Sequence, residues 1–231
     1  MIKLLCGPQH DVREFNFSLP SYDLNLPAAN LYYRLNKIKQ NYRIGVLVSG
    51  GLDSALLYYV LQKSNQMINS KFTITPYTVK RVDGSYKYAL NTINYINDIF
   101  GIPNTDLNLV GDISLEERLQ VDSGVKDVLK DNDFVYVGII DARPEHLIGW
   151  FQFEFKETLR LKYPLMHLQK SHIIDIIIQN KLYELFPLTH TCNIDLPKPC
   201  GSCNGCRERF WGFSELGLTE DEIDLKLQKR S

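Results

Sequence analysis

Several features are scarce in this sequence of 231 residues, and each scarcity excludes a class of protein. Charge of one sign is scarce, because 26 basic and 27 acidic side chains leave a formal net charge of −1, which implies no global attraction to nucleic acid or to a membrane surface. No uninterrupted apolar run approaches the roughly 20 residues of a membrane-spanning helix. The opening stretch MIKLLCGPQHDVREF has too short an apolar core for a secretory signal, so we expect a cytoplasmic protein without a membrane partner.

Cysteine is also uncommon, yet four of the five cysteines crowd together at Cys192, Cys200, Cys203 and Cys206. In a reducing cytoplasm such a cluster indicates a metal site rather than disulfides. Four thiolates suit tetrahedral Zn²⁺, and the spacing favours a compact zinc knuckle over an iron–sulfur cluster. A redox-active or sulfur-carrying C-x-x-C pair is the competing interpretation.

The apolar pattern predicts an α/β fold. Short runs rich in β-branched residues predict buried strands at 44–48, 72–79 and 134–140. Spacing and capping residues predict helices at 54–63, at 87–100 with Gly101 as C-cap, from Ser114 with Glu117, from Ser171, and from Thr219 with Glu222. The alternation of strands and helices is typical of a Rossmann-like open parallel sheet with helices on its faces.

A glycine-rich loop follows the first of these buried strands. The loop runs from Val48 to Ser54 and reads Ser49-Gly50-Gly51-Leu52-Asp53-Ser54 from its second residue. Ligands of open α/β sheets bind at this edge, where loop amides and a helix N-terminus favour anions. The two glycines would let phosphate oxygens approach the backbone, and Asp53 could hold Mg²⁺. Neither the Walker lysine nor the dinucleotide glycine spacing is present, and a turn that merely needs glycines is the bland alternative.

Ser-Gly-Gly-x-Asp-Ser after a strand resembles the pyrophosphate loop of the PP-loop ATP pyrophosphatase superfamily. The later run THTCNIDLPKPCGSCNGCRERFWGF resembles the end of one branch, the 7-cyano-7-deazaguanine synthases of the queuosine pathway. YPLMHLQK is similar to a Pro-Leu-x-x-x-x-Lys segment of that family, with Lys170 as its lysine. VGIIDARPEHL is similar to a shortened form of the family's Gly-rich strand end and Asp-Cys-Arg-x-Glu motif.

This resemblance implies an ATP-dependent C–N ligase that converts 7-carboxy-7-deazaguanine and ammonia into the 7-cyano base, preQ0. ATP, Mg²⁺ and Zn²⁺ are the implied cofactors. Residues 48–54 would bind the nucleotide, and the implied catalytic residues are Asp53, Lys170 and Arg143. Asp141, Arg143 and Glu145 would face the substrate, with Arg143 as the carboxylate clamp. We expect three divisions: an N-terminal extension at 1–40, which has no counterpart in the family, a nucleotide-binding domain at 41–190 and a zinc-binding segment at 191–231.

Other functions stay open because the sequence departs from the family pattern. The family's Phe-Val-Pro-Gly-Arg-Asn loop has no counterpart, since the region reads ERLQVDSGVKDVLK. The substrate could therefore be a different carboxylate, a different deazapurine or a group on a macromolecule. A sulfurtransferase acting on tRNA and a non-catalytic nucleotide-binding homologue are the two alternatives. We expect small-molecule partners rather than nucleic acid, and the sequence leaves a homodimer open.

Overall fold

The computed structural model describes residues 2–6, 11–15, 42–67, 72–104, 106–140, 158, 160–166, 168–194 and 198–223. Its strands are β1 (Ile2–Cys6), β2 (Asp11–Phe15), β3 (Arg43–Leu47), β4 (Thr73–Val79), β5 (Leu109–Val110), β6 (Phe134–Val137) and β7 (Leu161–Lys162). Its helices are α1 (Leu52–Met67), α2 (Tyr86–Phe100), α3 (Glu117–Asp131), α4 (Lys170–Gln179), α5 (Leu185–Leu188) and α6 (Asn204–Glu215). No helix in these ranges is long and apolar enough to span a bilayer.

Five of the strands form one parallel sheet in the order β5-β4-β3-β6-β7, while β1 and β2 pair as a separate antiparallel hairpin. In the central strand, Ile44 pairs with Ile74 of β4 on one side and with Phe134 of β6 on the other. The chain extends the sheet from β3 to β5 in one direction and then returns to add β6 and β7 in the other. This reversal creates a topological switch point beside β3, where open α/β sheets bind their ligands.

The sheet is buried on both faces, which explains its continuous apolar strands. Successive side chains of β3 point to opposite faces, so Ile44 and Val46 enter one core while Leu47 enters the other. The larger core also receives α1, α2 and α4, and the smaller core receives Val125 and Val128 of α3. The predicted parallel α/β fold is confirmed.

Most predicted elements are present, with shifted ends. Gly101 is the left-handed C-cap of α2, with a φ of 64°. The predicted capping box of Thr219 and Glu222 is also confirmed, because the Thr219 amide donates to Glu222 Oε2 at 2.7 Å and the Glu222 amide donates back to the Thr219 hydroxyl at 3.4 Å. The helix predicted from Ser171 begins one residue earlier, at Lys170.

The predicted cap at Ser114 is wrong. α3 begins at Glu117 after an N-cap at Glu116, and the Ser114 hydroxyl instead donates to Asp112 Oδ1 at 2.6 Å. The strand predicted for 134–140 ends at Val137. The predicted division at residues 40 and 190 stays a prediction, since residues 16–41 lie outside the described ranges.

Candidate active site

The loop after β3 lies at the carboxyl edge of the sheet, beside the switch point. The Val48 amide donates to the Tyr77 carbonyl at 2.8 Å, and the Thr78 hydroxyl donates to the Val48 carbonyl at 2.9 Å. These bonds extend the pairing with β4 by one residue beyond β3. The chain therefore leaves the sheet at Ser49, and the tip of the loop is held between β4 and the start of α1.

Gly50 determines the shape of this loop. Its φ of +86° lies in the left-handed region that favours glycine, and a Cβ there would stand 2.2 Å from the Ser85 carbonyl oxygen. Gly51 differs, because a Cβ there would stand 3.4 Å from the Ser49 hydroxyl and 3.5 Å from the His190 carbonyl, which are ordinary contacts. The fold thus requires glycine at position 50. At position 51 the fold does not require glycine, and the absence of a side chain there leaves the backbone uncovered.

The side chains at the end of the loop face inward. The Ser54 hydroxyl accepts from the Ser49 amide and donates to the Gly51 carbonyl, each at 3.0 Å. The Ser49 hydroxyl accepts from the Gly51 amide at 3.3 Å. Leu52 is buried in the larger core. Ser54 and Leu52 therefore shape the loop, and backbone amides at the start of α1 are its natural donors to a ligand, because they have no partners within the helix.

Asp53 projects from the first turn of α1 into a buried charge cluster. Lys170 Nζ lies 2.6 Å from Asp53 Oδ1, 2.8 Å from Asp53 Oδ2 and 3.3 Å from Glu208 Oε2 of α6. The side chains are 2% exposed for Lys170, 20% for Asp53 and 11% for Glu208. Asp53 is thus the member of the cluster with the most access to solvent.

Lys170 is charged within this cluster. Burial disfavours its charged form, but the two carboxylates outweigh burial and raise the pKa of Lys170 above its ordinary value. The sequence predicts that Lys170 stabilises phosphate charge. In this structure Lys170 is held by Asp53 and Glu208, and its role toward phosphate stays a prediction.

The four clustered cysteines form a candidate metal centre. The Sγ atoms of Cys192, Cys200, Cys203 and Cys206 all lie within 4.8 Å of one another, and those of Cys192 and Cys203 are 3.8 Å apart. Four sulfurs at about 2.3 Å from one Zn²⁺ would stand about 3.8 Å apart in a tetrahedron. Both the donor set and the spacing therefore fit a structural four-thiolate zinc site.

Backbone amides surround these sulfurs. The amides of Asn193 and Cys206 donate to Cys203 Sγ at 3.3 and 3.5 Å, and the Cys203 amide donates to Cys200 Sγ at 3.3 Å. Hydrogen bonds from the Ser202 and Cys203 amides lower the pKa of Cys200 to about 6, while burial raises that of Cys206 to about 12. The turn thus stabilises thiolate charge at Cys200, while Cys206 favours the protonated thiol in the absence of a metal ion.

The cysteine segment is attached to the glycine loop. The His190 amide donates to the Gly50 carbonyl at 2.9 Å, and the His190 ring stacks on Tyr88 at 4.6 Å between centroids. From α6, Arg209 donates to the hydroxyls of Thr189 and Thr191 at 3.2 and 3.1 Å. The chain that enters the cysteine cluster therefore supports the loop directly.

Comparisons with known proteins show a family that this chain resembles. A family model described as queuosine biosynthesis protein QueC matches residues 130–217. The 7-cyano-7-deazaguanine synthase of Trichodesmium erythraeum is 24% identical over 76% of this chain and 97% of its own. That of Picrophilus torridus is 27% identical over 76% of this chain and 88% of its own.

The sequence is thus QueC-like, in that it resembles this family and these synthases. A 7-cyano-7-deazaguanine synthase 2 of Desulfitobacterium hafniense is 34% identical over a shorter stretch, 38% of this chain and 40% of its own. Among solved structures, the U34-tRNA thiolase NcsA from Methanococcus maripaludis, which carries a 4Fe-4S cluster, aligns with a TM-score of 0.42 and 15% identity over 82% of this chain and 75% of its own.

The predicted site residues of this QueC-like chain are brought together only in part. The loop residues Val48 to Ser54 lie together at the sheet edge, Lys170 reaches Asp53, and the four cysteines converge. Asp141, Arg143 and Glu145 lie outside the described residues, so their roles stay predictions.

Two polar residues of the QueC-like site were not predicted from the sequence to act there. Glu208 binds Lys170, and His190 binds the loop at Gly50. One signal for Glu208 is its spacing of four residues from Gly212 on α6, which places both on one helix face toward Lys170.

Proposed function

We propose that this QueC-like chain is an ATP-dependent ligase that joins ammonia to an activated carboxylate and forms the nitrile of 7-cyano-7-deazaguanine. The observation that carries the proposal is the bare-backbone loop at the switch point, bound on one side by the segment that leads into the cysteine centre. Similarity to 7-cyano-7-deazaguanine synthases supports this choice of substrate.

The chemistry requires activation because a carboxylate is already anionic and resists a nucleophile. Transfer of an adenylyl or phosphoryl group from ATP to one carboxylate oxygen makes that oxygen a leaving group. Ammonia then displaces it to give an amide, and a second activation of the amide oxygen allows its loss to leave the nitrile. The protein must hold the reactants in line and stabilise the developing negative charge.

Each part of the loop has a role in this proposal. The amides at the start of α1 bind polyphosphate oxygens, and their partial positive charge favours the anion. The Asp53 carboxylate, partly exposed at the loop, would hold Mg²⁺, which neutralises polyphosphate charge when bound. Arg143, in the segment after β6, is proposed to clamp the substrate carboxylate through its two-pronged guanidinium group.

The cysteines are proposed to hold a structural Zn²⁺. Their four sulfurs complete a tetrahedral set and leave no open position for catalysis. The same convergence weighs against a sulfur carrier built on these four cysteines, because such a carrier needs at least one of their thiols apart from the metal. Zinc would instead fix the start of α6, from which Glu208 and Arg209 reach the loop region.

The proposal is tested by incubating the purified protein with ATP, Mg²⁺, ammonium and 7-carboxy-7-deazaguanine. Mass spectrometry should detect the cyano product, and ATP consumption should require both the acid and ammonium. Asp53→Asn should abolish turnover, while Asp122→Asn, at an exposed position on α3, should leave it unchanged. Folded, zinc-loaded protein that gives no turnover with this acid would overturn the proposal.

A further inference from the structure

The charge cluster below the glycine loop places two carboxylates around one buried lysine. Asp53 lies with both of its oxygens within 2.8 Å of Lys170 Nζ. Glu208 brings a second carboxylate to 3.3 Å from Nζ, and both Lys170 and Glu208 are largely removed from water. A buried ammonium group depends strongly on such partners, because removing one partner of a buried ion pair is costly.

The approach of Glu208 is built into the packing of α6 on α4. A Cβ at Gly212 would stand 2.7 Å from Lys170 Cγ and 2.9 Å from Ile174 Cδ1, so only glycine lets the two helices lie this close. Glu208 and Gly212 lie one turn apart on α6, so one provides the charge and the other the space on the same helix face. The stem of Lys170 is therefore enclosed by α6 while its ammonium group lies between the two carboxylates.

The charges of the cluster change when a divalent cation binds Asp53. That cation would take Asp53 oxygens that Lys170 now contacts, and it would repel the ammonium group. Without a second carboxylate, Lys170 would be left buried and uncompensated, a state that strongly opposes binding of the cation. With Glu208 in place, the lysine keeps a counter-charge that does not depend on Asp53.

We propose that Glu208 is a positioning residue that retains Lys170 when Mg²⁺ takes over Asp53, and thereby lowers the Mg²⁺ concentration that nucleotide binding requires. The inference rests on the proposed function, because it assumes that Asp53 receives the metal ion of a bound nucleotide. It differs from a purely structural role for Glu208, which would change stability without changing the Mg²⁺ requirement.

The test measures binding of a non-hydrolysable ATP analogue by calorimetry while Mg²⁺ is varied. Glu208→Gln keeps the shape and a hydrogen-bond acceptor but removes the charge. We expect the Mg²⁺ concentration for half-maximal binding to rise about tenfold or more, because a hydrogen bond to a carboxylate is roughly twice as strong as one to a neutral acceptor. Binding measured in excess EDTA should change much less. Glu215→Gln, at an exposed position of the same helix, is the matched control and should behave as wild type.

If Glu208→Gln binds the analogue with the same Mg²⁺ dependence as the wild-type protein, the inference is overturned and the proposed function is left intact. Failure of the wild-type protein to bind the analogue at any Mg²⁺ concentration would overturn both. Should Glu208→Gln fail to fold, Glu208→Asp provides the measurement, since it keeps the charge but withdraws it by one methylene group. An intermediate rise in the Mg²⁺ requirement supports the inference, and an unchanged requirement contradicts it.

Discussion

Gly50→Ala tests whether the glycine loop is shaped by the fold as well as by its ligand. The substitution introduces two separate penalties. The left-handed backbone at a φ of +86° costs about 1–2 kcal/mol for a residue with a Cβ. The new methyl group would also stand 2.2 Å from a backbone carbonyl that cannot rotate away, so the chain must shift, at about 1–3 kcal/mol. We therefore expect a loss of about 2–5 kcal/mol in the free energy of unfolding.

Two further glycines separate these penalties. Gly101 has a φ of +64°, and no atom of the described residues would lie within 4 Å of a Cβ at this position. Gly101→Ala should therefore show the backbone penalty alone, about 1–2 kcal/mol. Gly51→Ala meets only ordinary contacts and should leave stability nearly unchanged while weakening nucleotide binding. Urea unfolding and calorimetric titration with an ATP analogue measure the two properties. Equal destabilisation by Gly50→Ala and Gly51→Ala would refute this reasoning.

Three other predictions concern the charge cluster and the cysteines. Lys170→Met removes the buried ammonium group that lies between Asp53 and Glu208, so it should lower the free energy of unfolding by about 3–5 kcal/mol in urea titrations. Lys126→Met at an exposed position should not, and equal effects would count against the cluster. Cys206→Ser should release zinc, measured by elemental analysis, and should lower the Tm, while Ser202→Ala should do neither. If Cys206→Ser instead keeps its zinc and its stability but loses activity, a sulfur carrier would be favoured. After zinc is removed by a chelator at pH 7, iodoacetamide should modify Cys200 before Cys206, as measured by peptide mapping. A pKa of about 6 leaves Cys200 mainly as the thiolate, whereas a pKa of about 12 leaves Cys206 protonated. The opposite order of modification would contradict these pKa shifts.

The central part of the fold could be predicted because its strands are buried on both faces. Such strands are largely apolar, and β3 and β6 show this in the sequence, whereas β4 contains three threonines and has three buried residues out of seven. The outer strands could not be recognised in the same way. Leu109–Val110 and Leu161–Lys162 are two residues each, too short for any periodicity, and their pairing partners alone define them as strands.

The error at Ser114 has a local cause. A serine before an apolar run matches the capping pattern, but the amide and the hydroxyl of Ser114 both donate to Asp112 Oδ1, which holds Ser114 in a turn ahead of the helix. Short polar side chains often make such local bonds in place of a helix cap. The sequence offers both options, and the turn geometry selects one.

The candidate site was predicted where its residues are adjacent in sequence. The glycine loop and the cysteine spacing each bring their groups together over a short stretch of chain. Glu208 could not be predicted in this way, because a glutamate on a helix is usually solvated. Its partner Lys170 lies 38 residues earlier in the chain, and only the packing of α6 on α4 brings the two charges together.

The most direct test of the account is a crystal structure of the protein with Mg²⁺ and a non-hydrolysable ATP analogue. The account predicts that the polyphosphate lies over the backbone of Gly50 and Gly51, with Mg²⁺ bound to Asp53 and Lys170 retained by Glu208. An analogue bound elsewhere on the protein, with the loop amides unoccupied, would contradict it.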